Sequence, residues 1–162
     1  MTGTPHVNTV GFGEAYMPKA QRRFPLFDRP IIAVDLDDTL CEYDGNYHPE
    51  VVGPPRLNAI WALRVLKAND YEIVLHTNRG REDVLRAWIE KFAMGLIDHI
   101  NGHPKNAELG MNPGKPVADL FIDDRDIHAI GQPLDWFAVI HRLNDAGYLP
   151  AGIPTIEDFG SA

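Results

Sequence analysis

Short apolar runs alternate along the chain with stretches in which apolar residues recur every three or four positions. Residues 30–35, 71–76 and 118–122 are apolar, partly β-branched, and stop abruptly at polar or acidic residues. Such runs are typical of buried parallel strands. A shorter strand is predicted near residues 96–100.

Three amphipathic segments lie between or after these strands. The first carries Leu57, Ile60, Trp61 and Leu63 to Leu66 behind Pro54 and Pro55, and the second carries Val84, Leu85, Trp88, Ile89 and Phe92. Both patterns predict a helix, since proline is tolerated in a first turn. Residues 136–143 predict a third helix that Gly147 closes, whereas the Gly/Pro/Asn-rich segment up to Gly114 predicts a loop.

Alternating strands and helices predict an α/β fold, a three-layer α/β/α Rossmann-like sandwich with a mainly parallel sheet. Residues 30–162 form one predicted domain, and residues 1–29, which show no sustained period, are expected to be an irregular arm. In such folds the ligand site lies beyond the carboxyl ends of the strands.

Composition narrows the class of protein. The 162 residues carry a formal charge of −8, which argues against a surface for nucleic acid or an anionic membrane. The single cysteine, Cys41, cannot form an internal disulfide and is expected to be a small buried side chain. Without a long apolar run or an apolar leader, a soluble, cytoplasmic protein is predicted.

Acidic residues follow two of the predicted strands. Asp35 and Asp37 follow the first, and Asp123 and Asp124 follow another. Covalent hydrolysis of a phosphate ester needs an attacking carboxylate, a second carboxyl as acid and base, and a cation that offsets negative charge. Asp35 and Asp37 suit the first two roles, and Asp123 is the preferred ligand for Mg²⁺.

Two further groups suit the phosphoryl oxygens. Thr77, followed by Asn78, offers a hydroxyl and the amides of a turn after the second strand, and Lys115 offers a cation. Each cluster alone also fits turn or capping chemistry. Their combination at the ends of separate strands is the specific signal.

These motifs resemble those of the haloacid dehalogenase superfamily. The matching segments are VDLDDTL at 34–40, IVLHTNRG at 73–80 and ADLFIDDRD at 118–126. The resemblance implies that Asp35 is a phospho-aspartyl nucleophile and that Asp37 is a general acid/base whose backbone carbonyl also binds Mg²⁺. It further implies that Thr77 binds phosphate, that Asp123 is a metal ligand and that Asp124 supports the metal through water.

The resemblance also indicates which lysine takes part and what kind of substrate is bound. The family's lone lysine fits Lys115 in GKPVADLFIDD, with Lys105 as the alternative, and the acid at Asp37 favours a phosphatase over a dehalogenase. Residues 41–70 and 81–114 are too short for a separate cap domain, so a capless member is expected. Its substrate would be a phosphorylated small molecule or macromolecule, at a site that is open or covered by another subunit of an oligomer.

Several alternatives stay open from the sequence. A phosphotransferase or mutase would use the same intermediate, and a non-catalytic interaction module would keep only the fold. Tyr43, Tyr47 and His48 line a leaving-group pocket or merely pack, and Arg79 and Arg125 hold a second anionic group or form salt bridges. The histidines His76, His99, His103, His128 and His141 show no shared metal-ligand spacing and receive no role.

Overall fold

The computed structural model describes residues 25–126 and 133–150. Most of the predicted arm, and His128, therefore lie outside the described residues. In chain order the elements are β1 (Ile31–Val34), α1 (Ala59–Ala68), β2 (Glu72–Leu75), α2 (Glu82–Phe92), β3 (His99–Ile100), α3 (Pro104–Glu108), β4 (Leu120–Ile122) and α4 (Trp136–Asp145).

The four strands form one parallel sheet in the order β3-β2-β1-β4. All four residues of β1 are buried, as its near-continuous apolar sequence predicts for a central strand. Val34 is in register with Leu75 on one side and with Ile122 on the other, so three strands end at one level. The predicted α/β fold with a parallel sheet is confirmed.

The sheet has a large core on one face and a smaller one on the other. Ile32 and Val34 of β1 belong to a cluster with buried residues of α1, α2 and α4. Ile31 and Ala33 point the opposite way and pack with Val74, Phe27 and Ala118, because side chains alternate along a strand. Helix α3 adjoins this second face, where Lys105 lies over the ring of Phe27.

Two local predictions are wrong. Residues 104–108 form α3 where a loop was predicted: Pro104 fits the first helical position, and the His103 side chain accepts a hydrogen bond from the Lys105 amide. Leu57, assigned to the apolar stripe of the first helix, is 85% exposed because α1 begins only at Ala59.

The connections carry no inserted domain within the described residues, in agreement with the expected absence of a large cap. Residues 41–58 form a loop between β1 and α1, and the short helix α3 fills part of the stretch between β3 and β4. Among the described helices, none is long and apolar enough to cross a lipid bilayer. Cys41 is fully buried, as expected, and burial raises the pKa of its thiol to about 12.

Gly53 closes the loop that follows β1. A Cβ atom at this position would overlap the carbonyl oxygen of Glu42, whose amide donates to the Pro54 carbonyl at 2.9 Å. The Gly53 carbonyl accepts from the Trp88 indole at 2.8 Å, which fixes the loop to α2. The backbone here has no room to move away from an added side chain.

Replacing Gly53 should therefore destabilise the fold more than replacing a glycine in open space. Gly53→Ala should lower the free energy of unfolding by about 2 kcal/mol or more, because the overlap is with backbone atoms. Gly80→Ala is the matched control, since a Cβ there would meet nothing within 4 Å. Urea unfolding of both variants measures the difference, and equal stabilities would contradict the close approach.

Candidate active site

Three carboxylates converge at the carboxyl edge of the sheet. Asp35 directly follows β1 and Asp123 directly follows β4, and the Asp35 amide donates to the Ile122 carbonyl at 2.9 Å. Asp35, Asp123 and Asp124 each place a carboxylate oxygen within 4.8 Å of the others. The structure thus brings Asp35 of the first predicted acidic cluster together with both acids of the second, and Asp37 is not one of the three.

Burial strongly perturbs the Asp35 carboxyl. Its pKa is raised from 3.8 to about 7, chiefly by burial and further by the charges of Asp123 and Asp124. Burial also raises the pKa of Asp124. Three crowded carboxylates form the all-oxygen donor set that a hard divalent cation such as Mg²⁺ prefers.

Thr39 connects the nucleophile candidate to the rest of the edge. Its side chain is fully buried, and its hydroxyl lies 3.3 Å from a carboxylate oxygen of Asp35 while accepting from the Asp124 amide at 3.0 Å. Its carbonyl accepts from the Trp136 indole in α4 at 2.8 Å. Thr39 therefore links Asp35 to Asp124. The sequence alone does not predict this role, because it depends on contacts between distant segments of the chain.

Asp37 lies beside a buried arginine. The Arg79 Nε lies 3.0 and 2.8 Å from the two Asp37 carboxylate oxygens, and Nη2 lies 2.8 Å from one of them. Arg79 is only 4% exposed, and its bonds to Asp37 raise the pKa of the guanidinium. Of the two interpretations left open for Arg79, the structure supports the ion pair, with Asp37 itself as the partner.

Arg79 also holds the loop that follows β1. Its Nη1 donates to the His48 carbonyl at 2.8 Å and to the Val51 carbonyl at 3.0 Å. The guanidinium carbon lies 5.2 Å from the ring centre of Tyr47. One side chain therefore joins Asp37 to the loop, and His48 contributes its carbonyl to this contact.

A cavity of about 260 Å³ opens onto the carboxylates. Its lining comprises Asp35, Asp37, Tyr43, Tyr47, Thr77, Asn78, Arg79, Asp123 and Arg125. Both tyrosines thus face the site, and Arg125 has no ion-pair partner among the residues that the structure describes. Larger surface depressions of about 650 and 600 Å³ lie elsewhere, but they do not contain the converging carboxylates.

Of the candidates for binding phosphate, Thr77 and Asn78 line the cavity and the two lysines do not. The Thr77 amide donates to the Asn101 side chain at 2.7 Å, and its hydroxyl accepts from the Arg79 amide at 3.3 Å. Neither candidate lysine is among the residues lining the cavity. Lys115 lies over Phe121, 4.9 Å from the ring centre, and that ring contacts His76 beside Thr77, whereas Lys105 lies over Phe27.

Asn101 was missed from the sequence because its role depends on strand pairing. It follows β3 and adopts a left-handed conformation with φ of 53°, which asparagine tolerates better than most residues. From there its side-chain oxygen accepts the Thr77 amide, 24 positions earlier in the chain. An asparagine at the end of a short predicted strand was the available signal.

Comparison with known proteins identifies one structural relative. A solved structure described as a conserved protein from Bacteroides thetaiotaomicron is similar, with a TM-score of 0.57 and 28% sequence identity over 83% of this chain and 100% of that one. No protein-family model matches the chain, and no curated protein matches it. The likeness supports the fold.

The raised pKa of Asp35 predicts how stability depends on pH once a chelator has removed metal ions. Folded protein holds a proton on Asp35 that the unfolded chain has released, so its contribution is fully present below about pH 4 and is lost as the pH rises through about 7. Asp35→Asn cannot ionise and should be more stable than the wild type at pH 8 by about 1–3 kcal/mol. Urea unfolding from pH 4 to 8 measures this, and a constant difference would contradict it.

The hydroxyl of Thr39 should contribute more to stability than the shape of its side chain. Thr39→Val should lower the free energy of unfolding by about 1–3 kcal/mol, because the half-buried Asp124 amide loses its acceptor. Thr39→Ser keeps the hydroxyl and should retain most of the stability. If both variants unfold at the same urea concentration, the hydroxyl does not hold the two acidic clusters together.

Proposed function

We propose that this protein is a magnesium-dependent phosphomonoester hydrolase that forms an aspartyl phosphate on Asp35. The observation that carries the proposal is the convergence of Asp35, Asp123 and Asp124 at the carboxyl ends of adjacent strands. This is where ligands bind in open parallel α/β sheets. If these three acids had only a structural role, crowding them beside a cavity would cost free energy without any gain.

The donor set fits Mg²⁺. Asp35, Asp123 and Asp124 would hold the ion, since their carboxylate oxygens lie within 4.8 Å of one another and the pKa of Asp35 is raised by burial and further by the charges of the other two. When bound, the ion would offset this negative charge and polarise the phosphoryl group. The Asp37 side chain is engaged by Arg79, so only its backbone carbonyl would remain as a ligand.

In the first step a carboxylate oxygen of Asp35 attacks the phosphorus of the ester. A phosphorus–oxygen bond forms to Asp35, and the bond to the leaving alcohol breaks. The departing oxygen takes a proton from Asp37 when it is too basic to leave as an anion. In the second step Asp37 takes a proton from water, the water oxygen attacks phosphorus, and Asp35 is released with inorganic phosphate.

The Arg79 ion pair suits the second step better than the first. The Asp37 carboxylate oxygens make three contacts with Arg79, and a carboxylate can accept a proton from water. Donating a proton requires Asp37 first to gain one, which breaks this pair. Esters whose leaving groups need no proton, such as aryl phosphates, should therefore be the better substrates.

The groups around the phosphoryl oxygens complete the proposal. Thr77 and Asn78 line the cavity and would contact the phosphoryl oxygens, and the exposed Lys115, which lies over Phe121, would supply the cation. Tyr43 and Tyr47 also line the cavity and would contact the leaving group. A phosphotransferase would use the same intermediate, and adding an acceptor alcohol to the assay separates the two by the product formed.

The nucleophile assignment is tested by the loss of turnover. Asp35→Asn should lower the rate of p-nitrophenyl phosphate hydrolysis by more than about 1,000-fold, because an amide cannot form the acyl phosphate. Asp145→Asn, at an exposed position at the end of α4, is the control. The wild-type rate should require Mg²⁺ and vanish in chelator. Full activity of Asp35→Asn or of chelated enzyme would sink the proposal.

The ion pair of Asp37 and Arg79 is tested by the choice of leaving group. Arg79→Gln should slow all substrates by loosening the loop, but it should raise the ratio of alkyl to aryl phosphate hydrolysis, since Asp37 then no longer has to break its contacts with Arg79 before it donates a proton. Arg81→Gln removes a surface arginine that pairs with Glu50 and Asp83, and should leave the ratio unchanged. If the ratio of alkyl to aryl phosphate hydrolysis is unaltered in Arg79→Gln, Arg79 only holds the loop and does not affect proton transfer by Asp37.

A further inference from the structure

A second group of potential metal ligands lies on the other side of the molecule from the large core. Glu72 begins β2, His99 lies in β3, and His103 precedes α3. Glu72 and His99 share the sheet face of Val74, because Glu72 precedes Val74 by two positions and His99 is its register partner. Both histidines, which no sequence spacing linked to a site, therefore meet the same glutamate.

The distances among these side chains suit one bound ion. The Glu72 Oε1 atom lies 2.8 Å from His99 Nε2 and 3.2 Å from His103 Nε2. The three ligand atoms all lie within 4.8 Å of one another. A tetrahedral zinc site with bonds of 2.0–2.1 Å separates its ligand atoms by about 3.3 Å. Little movement would be needed to surround a cation.

A second observation, the unpaired ring nitrogen of His103, also points to a bound ion. Its side chain is only 3% exposed, and within the described part of the chain its Nε2 atom makes no hydrogen bond, although it lies 3.2 Å from Glu72 Oε1. Buried polar atoms are nearly always paired, because leaving one unpaired costs free energy. A cation held beside Glu72 would supply the partner that Nε2 lacks.

We infer that Glu72, His99 and His103 form a binding site for a borderline divalent cation such as Zn²⁺. Two imidazole nitrogens and one carboxylate are a typical zinc donor set and a poor one for Mg²⁺, which prefers oxygen. His99 and Glu72 are 28% and 21% exposed, so an ion can reach their side chains from solvent. This inference does not rest on the proposed hydrolase function.

The site would fasten the edge of the sheet. Strand β3 has only two residues, and the cation would tie it to β2 and to the start of α3. Binding would cost one hydrogen bond. His103 Nδ1 accepts from the Lys105 amide at 3.2 Å. A neutral imidazole that binds a metal through Nε2 carries its proton on Nδ1, which then can no longer accept this bond. This long hydrogen bond is small beside the metal–ligand bonds gained.

Titration of the full-length, chelator-stripped protein with ZnCl₂ tests the site. Excess Mg²⁺ keeps the carboxylate edge occupied, and calorimetry gives affinity and stoichiometry. We expect one Zn²⁺ per chain, with affinity reduced by more than about 100-fold in His99→Gln and in His103→Asn, where asparagine still caps α3. His141→Gln, an exposed position on α4, should bind like the wild type.

Two further readouts separate the site from adventitious binding. Co²⁺ in place of Zn²⁺ should give the intense visible absorption of a four-coordinate site, absent in His99→Gln, and saturating Zn²⁺ should raise the melting temperature by roughly 5 °C. Equal Zn²⁺ affinity in the wild type and His99→Gln would overturn the inference, as would a Co²⁺ spectrum that the substitution leaves unchanged. Loss of Zn²⁺ binding in His141→Gln would do the same.

Discussion

The register of β1 between its two neighbours is the constraint on which the site depends. Val34 pairs with Leu75 and with Ile122, so the next residues on all three strands emerge at one level. A slip of one residue would exchange the two faces of β1, placing Ile32 and Val34 against the smaller core, and would leave Asp35 out of line with Asp123. The packing of β1 therefore fixes the position of the carboxylates as well as the core.

Buried and half-buried polar side chains then hold this alignment in a defined geometry. Thr39 bridges the two acidic clusters, Asn101 holds the Thr77 amide, and Arg79 joins Asp37 to the loop. Each of these groups is satisfied by partners on a different segment, so loss of one would leave another unpaired. The crowded carboxylates are consequently held together despite their repulsion, which is the condition that binding of a cation would relieve.

Much of this arrangement could be predicted from the sequence, because it depends on where apolar runs stop. Asp35, Thr77 and Asp123 each end such a run, and parallel strands bring their ends to one edge. The partner of Arg79 could not be predicted, since Asp37 lies 42 positions away and the contact depends on side-chain conformation. Helix α3 was missed because its glycine- and asparagine-rich surroundings outweighed the start signal at Pro104. Likewise, Glu72 and His99 meet only through strand pairing.

Trapping the covalent intermediate tests the account most directly. The protein would be mixed with a phosphomonoester and Mg²⁺, quenched in acid within a turnover and digested, and the phosphoryl group located by mass spectrometry. Asp37→Asn would help the intermediate accumulate, because water then lacks its base. The account predicts a phosphoryl group on Asp35 and none in Asp35→Asn. Turnover with the phosphoryl group on another residue, or with no acyl phosphate in either protein, would contradict it.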